Sequence, residues 1–393
     1  MNRREMLMGG AGGLAGLAAF APGRAMAQAL FAAPAPLVPL IATSDRLMRV
    51  TVCLRPFRAA GPRIAVEEVG RKRVVHHYGH GGSGWSLSWG SALEAVPLAL
   101  ADGARRIAVI GAGAIGLTTA ITAQRMGAEV TIYAKERFPY VRSARATGTW
   151  SPDSRIAMEG AMAADFPAVW ERMTRASFAF HQRYLGLAGD PVEWTERYEL
   201  IDRSARHHAP AAVAAATPRP DFAWLEPRVR GLTPDAVSLA PGTHPFAAPE
   251  ARRRSALTFN VAALSHQLEE EFLLGGGRFE HAEFHKPADL ARIPEKVIVN
   301  CTGYGARALF GDDSVVPVRG QIAWLIPQPG LTYGVYSNGL TVLGRRDGIV
   351  LQPTGGDDYF GYDDANEEPD YAAAYAAVAQ AAGLYAPART VPA

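Results

Sequence analysis

The chain has 393 residues, with 40 lysines and arginines against 38 aspartates and glutamates, so its formal charge at pH 7 is only +2. Residues 1–27 hold three of those arginines and one glutamate, which leaves the remainder formally neutral and without the electrostatic footprint of a nucleic-acid binder. A hydrophobic content of 48% is ordinary for a globular protein, two cysteines are too few for a disulfide framework, and no cysteine–histidine cluster has zinc spacing.

The first residues predict an export signal. Arg3-Arg4 is a twin-arginine pair, a Gly/Ala/Leu stretch runs to Ala21, and Ala25-Met26-Ala27 is a small-x-small cleavage site. The apolar stretch is too short and too rich in glycine to span a bilayer, and nothing later reads as a transmembrane segment. A periplasmic or secreted address by the twin-arginine route is therefore expected. That route exports proteins already folded. Residues 28–44, with Pro34, Pro36 and Pro39, read as a linker. Arg46 to Leu54 alternates as a strand. Val74 to Tyr78 reads as another, and runs into Gly79-His80-Gly81-Gly82-Ser83-Gly84 before a helix over Leu87 to Leu100.

Val109-Ile110-Gly111-Ala112-Gly113-Ala114-Ile115-Gly116 is the most specific local signal. It is G-x-G-x-x-G between an apolar strand (Ile107 to Ile110) and an Ala/Thr/Leu-rich helix, and the next strand follows at Glu129 to Ala134. Gly111 allows the tight turn, Gly113 lets backbone approach a pyrophosphate, and Gly116 lets helix and strand pack closely, with the helix N-terminus toward the phosphates. Ala114 and Ile115 belong to the same turn. The second strand ends Tyr133-Ala134-Lys135-Glu136. Either Glu136 bonds the ribose one residue late, or Lys135 contacts the adenosine side instead. The motif alone does not separate NAD from FAD.

Further along, Ala161 to Tyr184 has helical spacing, and residues 204–220 are Ala/Pro/His-rich, as in a surface excursion. Val261 to Leu274 reads as a helix stopped by Gly275-Gly276-Gly277. Lys296 to Asn300 is an unbroken apolar run of the kind found in buried parallel strands. Gln321 to Ile326, Leu340 to Leu343 and Gly348 to Leu351 suggest an antiparallel sheet, and Tyr371 to Leu384 an Ala-rich helix. Cys53 and Cys301 both lie in apolar strand-like runs and read as buried free thiols.

Together these motifs resemble the D-amino-acid oxidase family of FAD enzymes. The resemblance rests on Val109 to Gly116, Tyr133-Ala134, Ala146-Thr147-Gly148-Thr149-Trp150, Val297 to Gly303, Pro317-Val318-Arg319-Gly320-Gln321, Leu54-Arg55-Pro56 with Gly61-Pro62-Arg63-Ile64, and His77-Tyr78-Gly79-His80-Gly81-Gly82. It covers most of the chain after residue 27, weakly between 160 and 255, and it favours non-covalent FAD over NAD. It implies an α/β fold: a Rossmann-like FAD-binding domain interleaved with an antiparallel-sheet α+β substrate domain. The expected division gives 1–27 to the signal, 28–44 to a linker and 45–61 to a substrate-domain strand. The FAD-binding domain takes 62–160 and 256–320, and the substrate domain takes 161–255 and 321–393. The motif order differs from the family's: the Arg-Pro and Gly-His-Gly-Gly segments close that family's chain but here precede the dinucleotide motif. Circular permutation explains this, since domain termini lie at the surface and often close together.

The activity implied is oxidative deamination of an amino acid, D-configured by the resemblance. Hydride leaves Cα for flavin N5, the imine hydrolyses to a 2-keto acid, and dioxygen reoxidises the flavin to give hydrogen peroxide. Arg55 matches the family's arginine that clamps the substrate carboxylate, a task suited to a planar guanidinium. Gly82 matches the glycine whose carbonyl accepts from the substrate amine. Tyr336 falls near one active-site tyrosine, with Tyr333 as competitor, and Thr341 falls where a second tyrosine is expected. Implied FAD contacts are Gly81, Ser83, Gly84, Trp85 and Ser86 at the opening of a helix, then Arg145, Thr147 and Gly148, then Thr302 and Gly303. Two other activities fit the sequence. One is a flavin dehydrogenase acting on a secondary amine or N-methyl amino acid with a non-oxygen acceptor; the other is a flavin-binding protein without turnover. The expected partners are small molecules, not nucleic acid or an integral membrane span, and an oligomer is compatible with the sequence.

Overall fold

The computed structural model describes residues 36–201 and 219–386. The expected export signal and nearly all of the 204–220 excursion lie outside the described residues. Val38–Ala393 form one compact unit; of the preceding unit, Met1–Leu37, only the last two residues are described.

Two sheets organise the larger unit, with strands numbered along the chain. The smaller sheet has the order β2 (Arg63–Val69), β3 (Lys72–Tyr78), β10 (Val297–Asn300), β4 (Arg106–Ile110), β5 (Glu129–Ala134) and β9 (Arg278–His281). All neighbours from β3 to β9 are parallel, and β2 is antiparallel to β3. The unbroken Val297-Ile298-Val299-Asn300 run is buried on both faces, so it takes the centre, between β3 and β4. Its successive side chains enter opposite cores. Val299 joins Val75 and Val109 under Trp89, Leu117 and Leu264, while Ile298 joins Val74, Ala108, Leu290 and Ile293. Helices α1 (Gly84–Leu100), α2 (Ala114–Arg125) and α4 (Val261–Leu274) cover the first of these faces.

The helix expected over Ala161 to Tyr184 is shorter. α3 spans Phe166–His181, with Pro167 in its first turn, and Gln182–Tyr184 tighten into a 3₁₀ turn. It docks on α1 at Gly90, whose N–H donates to Ser177 Oγ at 2.7 Å and where a Cβ would fall 1.9 Å from the Met173 carbonyl oxygen.

The larger sheet runs β1 (Leu47–Phe57), β11 (Val316–Leu325), β14 (Gly348–Pro353), β13 (Leu340–Arg345), β12 (Gly334–Ser337), β6 (Val192–Ile201), β8 (Glu250–Phe259) and β7 (Val237–Leu239). β8 and β11 run through the boundaries drawn at 255/256 and 320/321, because each is one continuous ladder. β6 escaped the sequence reading because charged residues are interspersed with buried ones, and β8 because it carries three exposed arginines before its short buried run. Antiparallel partners share a face, so Cys53, Gly320, Gln352, Thr341 and Tyr336 all project to one side of this sheet. Both thiols are free. Cys301 is buried as expected, but Cys53 is only half-buried, and both border a cavity. At the far side of the unit the Tyr333 hydroxyl donates to the Val38 carbonyl at 2.6 Å and lies 2.8 Å from the Tyr385 hydroxyl, so the two described ends meet there.

Candidate active site

A cavity of about 590 Å³ lies between the carboxyl ends of the parallel strands and the inner face of the larger sheet. Open α/β sheets bind ligands at that end of their strands. Its floor begins at the turn after β4. Gly111 has φ +104°, and a Cβ there would sit 2.7 Å from the Cys301 carbonyl oxygen, so only glycine fits. A Cβ on Gly116 would lie 1.9 Å from the Gly111 oxygen, which is the close helix–turn packing the spacing required. At Gly113 the nearest atom to an added Cβ is Ser143 Oγ, at 2.8 Å, and the same oxygen accepts the Ala114 N–H at 3.0 Å. Gly111, Gly113, Ala114 and Ile115 line the cavity; Gly116 lies behind it. Lys135 and Glu136, at the end of β5, both border the same space. Lys135 pairs with Glu283 at 3.4 Å, whereas Glu136 makes no hydrogen bond or ion pair to a described residue.

The opposite end of the cavity holds Arg55. It projects from β1 across Gly320 of β11, where a Cβ would fall 2.0 Å from Arg55 Nη2 and 2.8 Å from its Cζ. The guanidinium makes no hydrogen bond or ion pair to a described residue. Burial, and then the nearby charge of Arg155, lower its pKa to about 10. A half-buried cation at a cavity wall without a counter-ion is unfavourable unless a ligand supplies one.

Facing it is the glycine turn that opens α1. Gly81 has φ +53°, with an added Cβ only 1.9 Å from the Arg155 carbonyl oxygen, and the Gly82 N–H donates to the Ser154 carbonyl at 3.0 Å. Phe57, two residues after Arg55, bridges to His80, which fixes the distance between clamp and turn. His77 and His80 also line the cavity. Burial lowers the pKa of both, that of His80 to about 3, so both are neutral at pH 7, and neither Nε2 has a partner among the described residues.

The other expected residues divide. Gly81, Gly82, Gly84, Trp85, Arg145, Thr147, Gly148, Thr302 and Gly303 line the cavity with Arg55. Arg145 is also a tie between the two sheets, donating to the Val52 carbonyl at 3.0 Å. The side chains of Ser83 and Ser86 turn away to hold the 151–155 segment: Ser83 Oγ donates to the Ser154 carbonyl and Ser86 Oγ accepts the Ser151 N–H. Tyr336 requires a correction. It shares the cavity face with Thr341 but stands one strand further out, 44% exposed, and does not line the cavity. Tyr333 does not line it either; its hydroxyl is engaged at the Val38 end. Thr341 and Gln352 are the roof residues there, and the Gln352 side chain hydrogen-bonds Thr147. Sequence reasoning missed Ser143, Arg155 and the space-making role of Gly320. Only Gly320 carried a signal, its place in the Pro317 to Gln321 motif.

The chain matches the family described as FAD dependent oxidoreductase over residues 106–391. It is 28% identical over 228 residues to a D-amino-acid oxidase of Streptomyces coelicolor, covering 57% of this chain and 60% of that protein. It is 29% identical over 254 residues to a D-amino-acid oxidase of Rubrobacter xylanophilus, covering 62% and 67%. The chain thus spans about 60% of the first relative's length and 67% of the second's. Among solved structures, glycine oxidase from Geobacillus kaustophilus superimposes with a TM-score of 0.48 at 13% identity, over 72% of this chain and 78% of that one.

Proposed function

We propose, from the premise that this chain belongs to the FAD dependent oxidoreductase family, that it oxidises the Cα–N bond of a D-amino acid to an imine, which water converts to a 2-keto acid and ammonia. Its cofactor is FAD. The residues present fit that group: the Gly111 to Ala114 turn is a cradle that a Cβ would fill, opening onto a helix N-terminus. Lys135 and Glu136 border its far end, and Gly148, Thr302 and Gly303 its middle. When bound, FAD supplies the acceptor for the hydride leaving Cα and is reoxidised by dioxygen with release of hydrogen peroxide.

The work of the chain itself is orientation and charge. Arg55 holds the substrate carboxylate, its fork meeting both oxygens. The Gly82 carbonyl accepts from the amine and so requires it close to the same turn. The N-terminus of α1 favours negative charge at the reacting end. His77 and His80, held neutral, add no competing positive charge and take no proton.

The observation carrying this reading is the unpaired Arg55 guanidinium over Gly320, opposite the Gly81 turn. The test is anaerobic reduction of the FAD-loaded protein by a panel of D- and L-amino acids. D-amino acids should bleach it, and Arg55→Ala should lower kcat/KM roughly 100-fold, the upper end for a charge-assisted hydrogen-bond pair. If no amino acid reduces the flavin, or Arg55→Ala leaves reduction unchanged, the reading is wrong. Dye reduction without peroxide would assign the dehydrogenase alternative. Two further proposals accompany this one. Arg3-Arg4 and the segment to Ala27 support export by the twin-arginine route. The meeting of Val38 and Tyr385 at Tyr333 supports a circularly permuted chain order.

A further inference from the structure

Besides Arg142 and Arg145, which pair with Glu367, two guanidiniums border the cavity. The second is Arg155, in a segment no motif pointed to. Its backbone is left-handed, with φ +48°, a conformation that a bulky side chain rarely adopts. The glycine turn fixes it there: the Arg155 carbonyl packs on Gly81, and the preceding carbonyl accepts the Gly82 N–H. The same turn that faces Arg55 therefore also sets where Arg155 stands.

The carboxylates that bear on Arg155 are Asp358 and Asp357, 73% and 65% exposed to water. The Arg155 side chain is only 10% exposed. Its Nε donates to the Asp358 carbonyl at 2.5 Å, and Nη2 comes no closer than 3.8 Å to the Asp358 carboxylate. Neither Nη makes a hydrogen bond to a described residue. Arg55 has no partner of either kind among the described residues. Both guanidiniums border the same cavity, and the charge of Arg155 is felt at Arg55. The carboxylates among the cavity-lining residues are Glu136 and Glu283, both at the β5 end beside Lys135. The loop carrying Asp358 is held against β11, where the Arg319 N–H donates to the Gly361 carbonyl at 2.7 Å and Val318, the register partner of Arg55, bridges to Tyr362.

A substrate with a single carboxylate would neutralise one of these cations and leave the other desolvated and under-paired. A substrate with two would satisfy both, through charge-assisted hydrogen bonds to planar forks. We infer that the site takes an acidic amino acid, with its α-carboxylate on Arg55 and its side-chain carboxylate on Arg155. This rests on the oxidase reading above and specifies its substrate class.

The test compares kcat/KM of the FAD-loaded protein for D-aspartate and D-glutamate with D-asparagine and D-glutamine, which keep the shape and lose the charge. Binding of succinate against butyrate, followed by the flavin absorbance and by thermal shift, gives a readout independent of turnover. The acids should be favoured over their amides roughly 10- to 100-fold, the range for a hydrogen bond to a charged group. Arg155→Asn removes the charge with a residue that tolerates the left-handed backbone. It should bring the acid-to-amide ratio toward one and abolish the preference for succinate, whereas Arg155→Lys should keep part of both. Amides turned over as well as acids by the wild type would overturn the inference while leaving amino-acid oxidation standing. An acid-to-amide ratio unmoved by Arg155→Asn would overturn it too. If no amino acid reduces the flavin, the oxidase reading falls, and with it the substrate class. An Arg155-dependent preference for succinate would then still uphold the two-carboxylate pocket, and its absence would remove that as well.

Discussion

Gly320→Ala is the sharpest test of how the substrate clamp is held. The added Cβ would lie 2.0 Å from Arg55 Nη2, 2.8 Å from Cζ and 3.2 Å from Nε. Ordinary contact needs about 3.5 Å, so the guanidinium must move by roughly 1.5 Å. The atoms that give way are the far end of a flexible side chain, not backbone, so the sheet should survive. An added methyl in a strand changes stability by about 0.4–1 kcal/mol, and the melting temperature should stay within about 4 °C. Activity should not survive as well. A misplacement of about 1 Å in a positioning group costs roughly 100-fold, which is about 2.7 kcal/mol of transition-state stabilisation. The assay is anaerobic flavin reduction at varied substrate concentration, with FAD content and melting temperature measured on the same samples. In an Arg55→Ala background the same substitution should add little further loss, because the two changes remove one interaction. A Gly320→Ala protein with kcat/KM within threefold of wild type would refute the reasoning, as would losses that simply add.

Gly111→Ala should both lower FAD retention and destabilise the protein. Its φ of +104° and the Cys301 carbonyl 2.7 Å from the new Cβ leave only backbone to move; equilibrium dialysis and thermal melting read the two effects, and full FAD occupancy would contradict it. Buried histidines, among them His77, His80 and His181, predict acid sensitivity. Burial lowers the pKa of His77, of His80 to about 3 and of His181 to about 4, so each stays neutral in the folded chain while its unfolded counterpart takes up a proton below about 6.5. The unfolded state then binds more protons, so this contribution is complete above pH 6.5 and is lost as pH falls, by up to roughly 1.4 kcal/mol per pH unit per histidine. Urea midpoints should drop between pH 6.5 and 5; a flat profile would show that these rings are not held neutral. Replacing Arg3-Arg4 by two lysines should retain the protein in the cytoplasm, and cell fractionation showing unchanged export would remove the twin-arginine proposal.

Local signals were legible where one short segment carries the whole constraint. Gly111, Gly113 and Gly116 announce a strand–turn–helix because their spacing solves a backbone problem within eight residues, and the structure places them there. The Val297 to Asn300 run announces a central parallel strand because both faces are buried. Arg55, Gly82, Thr302 and Gly303 were nominated by motif, and all border one cavity. Tyr336 was nominated because it falls near a family tyrosine in chain order, which does not fix its distance from a site; it lies on the cavity face but one strand too far out to line the cavity.

What the sequence determined by itself is the set of elements whose periodicity and glycines are read locally, and the family their motifs resemble. Only the tertiary structure decided that Gly320 must be bare so that Arg55 can cross it, that Ser143 caps the Ala114 amide, and that Arg155 stands beside the clamp. Each of these joins residues far apart in the chain through the register of two strands or the packing of a turn on a distant carbonyl. Such pairings are fixed by the summed burial of whole sheets, and no local pattern in the chain encodes them.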